Sequence, residues 1–160
     1  MRILLATEGS EFSRAAVEKF CEMFGASDKV ELLVVSAAEP TYVPAEPFAI
    51  SAEYIQEANR FALEKAKSAL AEADQQIRSG SPALASGFET RILDGEPEQV
   101  IVEEAEKWGA DLIIVGSHGY GFWNRTFLGS VSNAVMHHAP CSVLVVRQKP
   151  ADSDRNGKPS

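Results

Sequence analysis

Five stretches of strand length, Ile3–Ala6, Val30–Val35, Phe88–Leu93, Asp111–Val115 and Cys141–Val146, alternate with segments whose apolar residues recur at helical spacing. That alternation constrains the chain more than any other feature. The runs are mostly apolar at successive positions, so both faces of each strand need covering, and strands of that kind belong to a parallel sheet sandwiched between helices. Right-handed crossovers leave few arrangements for such a sheet. The expectation is an α/β fold, a three-layer doubly wound five-stranded parallel sheet of strand order 3-2-1-4-5. In that order the first and fourth strands are neighbours at the switch point, and the turn Thr7-Glu8-Gly9-Ser10 faces the loop after the fourth strand across the crevice where such sheets hold ligands.

The helical segments are legible by their spacing and their ends. Phe12, Ala16, Phe20 and Phe24 form one face up to a capping Gly25, and Val100, Ile101, Ala105 and Trp108 form another between Pro97 and Gly109. From Ser51 to Ser79 a long amphipathic helix is predicted on Tyr54, Ala58, Phe61, Ala62, Ala69, Leu70, Ala73 and Ile77, ended by Gly80-Ser81-Pro82. A last helix is expected over Ser130–His138. The preceding loop with Pro40, Pro44 and Pro47 is long for a compact domain and reads as a lid or partner surface. With 160 residues, 45% of them hydrophobic, the chain has material for one core. Residues 1–147 are expected to form a single domain and the polar residues 148–160 a disordered tail.

Charge narrows the partners. Fifteen basic against 23 acidic residues leave a net charge of -8, which repels nucleic acid and anionic membrane. Any phosphate would need a local positive or dipolar site. No run approaches membrane-span length, and MRILLATEGS turns polar too early for a secretory signal, so a cytoplasmic location is expected. Cys21 and Cys141 read as buried free thiols without a disulfide.

The segment GSHGYGFWNRTFLGS, Gly116 to Ser130, answers the need for a dipolar site. It lacks the lysine of a GxxxxGK[ST] loop and the third glycine of GxGxxG, so neither familiar phosphate motif applies. What remains is Gly116-x-x-Gly119, nine residues, then Gly129-Ser130 opening a helix. A helix start presents unpaired N–H groups and the positive end of the dipole, and a glycine before it lets a phosphate approach the main chain. Ser130 is expected as the N-cap, Ser132 adds a hydroxyl, and Arg125 and His118 can reach an anion.

This GxxGx9G[ST] pattern after an apolar strand, with HAPCSVLVV near the end and ILLATEGS at the start, resembles the universal stress protein family over nearly all of residues 1–147, and its ATP-binding branch in particular. The resemblance implies an adenine nucleotide alpha hydrolase-like fold, ATP in the crevice, no established turnover chemistry, and a homodimer; Mg2+ with the ATP is left open, and slow hydrolysis is the most activity expected of this chain. Carried over by position, Gly119, Gly129, Ser130, Val131 and Ser132 would hold phosphates and ribose, Val115 and Gly116 would line the site, and Ala6, Thr7 and Glu8 would meet adenosine. Val35, taken as the end of the second strand, would offer backbone groups to adenine. Two positions depart from the family pattern: Glu8 stands where aspartate is usual, and Ala6 where proline is common.

Other chemistry has little to stand on. His118, His137 and His138 show no ligand spacing for a metal, and the last two suit a helix C-terminus. No GxSxG is present, and Glu103-Glu104-x-Glu106 reads as a solvated helix face. The final strand is an apolar sheet edge, which pairing with a second copy would cover. The functional expectation is an ATP-dependent stress sensor or regulator. The alternatives are a scaffold of the same fold that binds no nucleotide and, less well supported by TEGSEFS, an adenylyl-transfer enzyme.

Overall fold

The computed structural model describes residues 1–40, 51–84, 87–118 and 128–148. Five strands, β1 (Arg2–Ala6), β2 (Glu31–Ala38), β3 (Glu89–Asp94), β4 (Leu112–Gly116) and β5 (Ser142–Val146), form one sheet in the order β3-β2-β1-β4-β5, every pair parallel. Four helices connect them: α1 (Glu11–Phe24), α2 (Ala52–Gly80), α3 (Pro97–Trp108) and α4 (Ser130–His138). Residues 149–160 of the expected tail and the inner prolines of the long loop, Pro44 and Pro47, lie outside the described residues.

Strand alternation divides the core into two layers. Ile3, Leu5, Leu32, Val34 and Ile114 point to the side covered by α1 and α2, where Phe20, Leu70, Ala73 and Ile77 meet them. Leu4, Ala6, Leu33, Val35, Ile113 and Val115 point to the other side, against Ile101, Ala105 and Val135 of α3 and α4. Both faces of the central strands are therefore dry, which is why their sequences show no polar alternation.

The structure departs from the sequence reading in specific ways. β2 runs three residues past Val35, because Ser36-Ala37-Ala38 continue the ladder with β3 after β1 has ended. Glu104 is no solvated residue: it is buried and ion-paired with Arg91 of β3, which supplies the charge that burial otherwise forbids. Cys21 and Cys141 are free thiols but only half-buried. No described helix is long and apolar enough to cross a membrane.

Helix α2 is out of proportion to the sheet. Its 29 residues make it about 43 Å long, whereas β1 and β4 have five residues each. Its buried residues begin only at Ala66. The first half overshoots the carboxyl ends of the strands, and Tyr54 and Phe61 are 63% and 71% exposed there.

Gly116 owes its identity to packing. A Cβ there would sit 2.7 Å from the carbonyl carbon and 2.8 Å from the carbonyl oxygen of Phe12, main-chain atoms of α1 that cannot rotate away. Gly116→Ala is expected to cost ~1–3 kcal/mol by forcing α1 off the sheet. In urea unfolding the midpoint should fall with an unchanged slope; a wild-type midpoint would refute this account of the glycine.

Candidate functional site

A cleft of about 750 Å3 opens at the carboxyl ends of β1, β2 and β4, at the point where the chain connections diverge to opposite faces of the sheet. Ala6, Thr7 and Glu8 enter it from β1, Val115, Gly116 and His118 from β4, and Gly129 to Ser132 from the start of α4. Val35 contributes to the floor. Gly119 and Arg125 lie outside the described residues.

The turn after β1 is held by its own hydroxyls. Gly9 takes a positive φ of 81°, its amide donates to Thr7 Oγ1 at 3.3 Å, and Thr7 Oγ1 donates to Ser13 Oγ at 3.2 Å. Ser10 caps α1 by accepting from the Ser13 amide at 3.2 Å, and its hydroxyl donates to the Glu8 carboxylate. Arg14 Nη1 donates to the Gly9 carbonyl at 2.6 Å and closes the turn from the helix side. This rigid turn delivers Glu8 into the cleft. Burial raises the Glu8 pKa above its usual 4.5, opposed by the Ser10 hydrogen bond and by the positive charge of Lys65 on α2.

The opposite wall is the first turn of α4, where the residue before the helix is Gly129 and not the expected Ser130. Gly129 has φ -63° and ψ 158°, extended backbone that any residue could adopt, and no side-chain cap accompanies it. Its amide donates to the Ser117 carbonyl at 2.8 Å, and the Ser132 hydroxyl bonds to the same carbonyl at 3.0 Å. These two bonds latch the helix to the exit of β4. Ser132 therefore has its hydroxyl proton committed to main-chain carbonyls, including that of Gly129 at 3.0 Å. Ser130 takes the first helical position instead of the cap, and the first intrahelical bond belongs to Asn133, which donates to Gly129. The amides of Ser130, Val131 and Ser132 are left at the cleft with the positive end of the helix dipole. Helices α1 and α2, by contrast, carry serine caps.

His118 stands beside this opening. It is 9% exposed and lines the cleft, its Nδ1 lies 3.1 Å from Ser117 Oγ, and its ring packs on Phe12 with centroids 5.2 Å apart. Its Nε2 is buried with no hydrogen-bond partner among the described residues, a state that costs free energy unless a ligand relieves it. Among the described lining residues the charged groups are Glu8, Glu39 and Lys65. An anion here would be held by amides and the helix dipole more than by a cluster of cations. No group of three or more His, Cys, Asp or Glu with metal-binding geometry occurs among the described residues.

Val35 does not stand free at a strand end. Its carbonyl accepts from the Thr7 amide at 2.9 Å and the residue is fully buried. The backbone edge that has outrun β1 belongs to Ala37, two residues on with the same orientation, and Ala37 lines the cleft. The sequence reading also missed Phe61 and Lys65 of α2. The signal for them was the length of the α2 pattern, which no strand in the chain could match.

Because burial lifts the Glu8 pKa, the folded state holds this proton more tightly than the unfolded chain does. Stability consequently falls as pH climbs from about 4.5 through the raised value, and stays lower above it. Glu8→Gln keeps an acceptor for Ser10 and removes the charge. The variant should melt above wild type at pH 7 and close to it below about pH 4; superimposable melts at both pH values would contradict the assignment.

The universal stress protein family model matches residues 1–147. A universal stress protein from Thermus aquaticus is 37% identical over 148 residues, covering 91% of this chain and 97% of the relative. Among solved structures, a universal stress protein in complex with cAMP superimposes with a TM-score of 0.62 at 25% identity, covering 92% of this chain and 96% of the other. A family protein from Arabidopsis thaliana with AMP bound has a TM-score of 0.66 at 20% identity and covers 95% of this chain and 97% of its own. With its sheet order, its crevice and a family match over residues 1–147, this chain belongs to the universal stress protein family.

Proposed function

We propose that the protein binds ATP, alone or with Mg2+, in the switch-point cleft and acts in the cytoplasm as a nucleotide-dependent regulator of a stress response. The observation that carries this reading is the convergence of two features on one cavity: the start of α4, which has no side-chain cap among the described residues, and the buried Nε2 of His118, which has no hydrogen-bond partner among them. Both are relieved by a phosphate, which accepts from amides and from an imidazole N–H. A cleft of about 750 Å3 lies within the usual range for small-ligand sites, roughly 300–1,000 Å3. The related proteins in complex with cAMP and with AMP support an adenine nucleotide as the ligand class.

In this reading the phosphates lie against Ser130 to Ser132, His118 donates to one of them, and the base lies toward the free edge of Ala37. Glu8, which accepts from the Ser10 hydroxyl, also accepts from a ribose hydroxyl. The role is binding, and no residue is assigned to turnover. One observation favours the scaffold alternative: Glu8 and Glu39 place two carboxylates in the cleft, which oppose a polyanion unless the amides prevail.

Mass spectrometry of the purified protein after denaturation separates these readings. Co-released ATP from wild type, absent from Gly129→Val, is the expected result. Recovery of an empty protein with no thermal shift on adding Mg-ATP would support the scaffold, and accumulation of ADP or AMP would restore an enzymatic role.

The sheet edges support a homodimer through β5. The β3 edge carries Glu89 and Arg91, which discourage pairing, while β5 presents half-buried Val143, Leu144 and Val145. Sedimentation at micromolar concentration should give a dimer for wild type and a monomer for Val145→Lys. A wild-type monomer would rule out the pairing.

A further inference from the structure

Helix α2 raises a question that the fold leaves open: why its apolar pattern continues for half its length beyond the sheet. From Ala66 onward the pattern is explained by burial against the sheet and α1. Before Ala66 it is not. Ala58, Phe61 and Ala62 continue the same stripe toward the amino terminus, and all three line the cleft together with Lys65. Phe61 is the most exposed of the large apolar side chains described, at 71%, a placement that costs hydrophobic free energy unless something covers the ring.

The remaining walls of the cleft specify what could cover it. The α4 amides and His118 suit an anionic group, and the Ala37 backbone edge suits a hydrogen-bonding heterocycle. Phe61 shares the cavity with all of these. A planar, apolar-faced group carrying its own donors and acceptors and tethered to phosphate meets every wall at once.

We propose that Phe61 is the stacking platform for the nucleobase, and that the overshoot of α2 exists to hold it over the cleft. This assignment rests on the nucleotide reading above and adds the residue that discriminates a nucleotide from an inorganic polyphosphate. Base–aromatic stacking is tolerant of base identity, since every base offers a π-face. Phe61 accordingly sets the affinity for nucleotides as a class, and the Ala37 edge selects among bases.

The test compares ATP with inorganic tripolyphosphate on protein stripped of co-purified nucleotide, using wild type, Phe61→Ala and Phe61→Tyr. Phe61 is exposed on a helix, so both variants should keep the wild-type melting temperature. The expected result is an ATP affinity about ten-fold weaker in Phe61→Ala and restored in Phe61→Tyr, with tripolyphosphate affinity equal in all three. An unchanged ATP affinity in Phe61→Ala overturns the stacking role and leaves nucleotide binding standing. Equal losses for both ligands overturn it as well, since they would mark damage to the cleft in place of a lost base contact. Absence of ATP binding by wild type overturns both proposals together.

Discussion

The divergence of the chain at β1 and β4 is the constraint on which the rest of the molecule depends. Connections of fixed hand carry α1 and α2 to one face of the sheet and α3 and α4 to the other, so the carboxyl ends of the two central strands cannot be covered by the segments that leave them. A cleft at that place is a consequence of topology. Its walls are then whatever follows each strand: a hydroxyl-braced turn after β1, a latched helix start after β4, and the prolonged edge of β2.

Under the proposed nucleotide reading, the cleft has to answer an electrostatic problem imposed by the chain's own composition. With a net charge of -8, it has no field that would gather anions. Backbone amides concentrate positive potential without adding a titratable group, and they act over a few ångströms, where the distant carboxylates are screened. The Ser117 carbonyl is central to this arrangement: by accepting from both Gly129 and Ser132 it orients the first turn of α4 and uses up the donors that would otherwise close it. Gly116 makes a different contribution from the one glycine usually makes near phosphate. It allows α1 to approach β4, which brings Phe12 and His118 into contact and keeps the imidazole buried.

Local chemistry explains which parts of this were legible in the sequence. Apolar runs and three-four spacing record burial on strand and helix faces, so the element order, the sheet order and the α3 boundaries at Pro97 and Gly109 could be read directly. The failures occur where a residue type fits two environments. Ser36, Ala37 and Ala38 are small enough to suit a loop, and only their pairing with β3 makes them strand. Glu104 resembles its neighbours Glu103 and Glu106, and only the approach of Arg91, thirteen positions earlier, makes it a buried ion. Ser130 has the right chemistry for a cap, but the Ser117 carbonyl captures the Gly129 amide and moves the cap by one residue.

By itself, the sequence determined the layered α/β fold, the location of the crevice and the glycine-to-serine helix start at its rim, because each of these is written in periodicity and in residues whose backbone preferences are intrinsic. Tertiary structure alone decided how the site is furnished. The burial of His118 Nε2, the raised Glu8 carboxyl, the backbone edge at Ala37 and the reach of Phe61 all depend on segments far apart in the chain arriving at one place. Periodicity records which face of an element is covered. It carries no record of how far a helix extends past the strands beside it, or of which distant atom will occupy a given hydrogen bond.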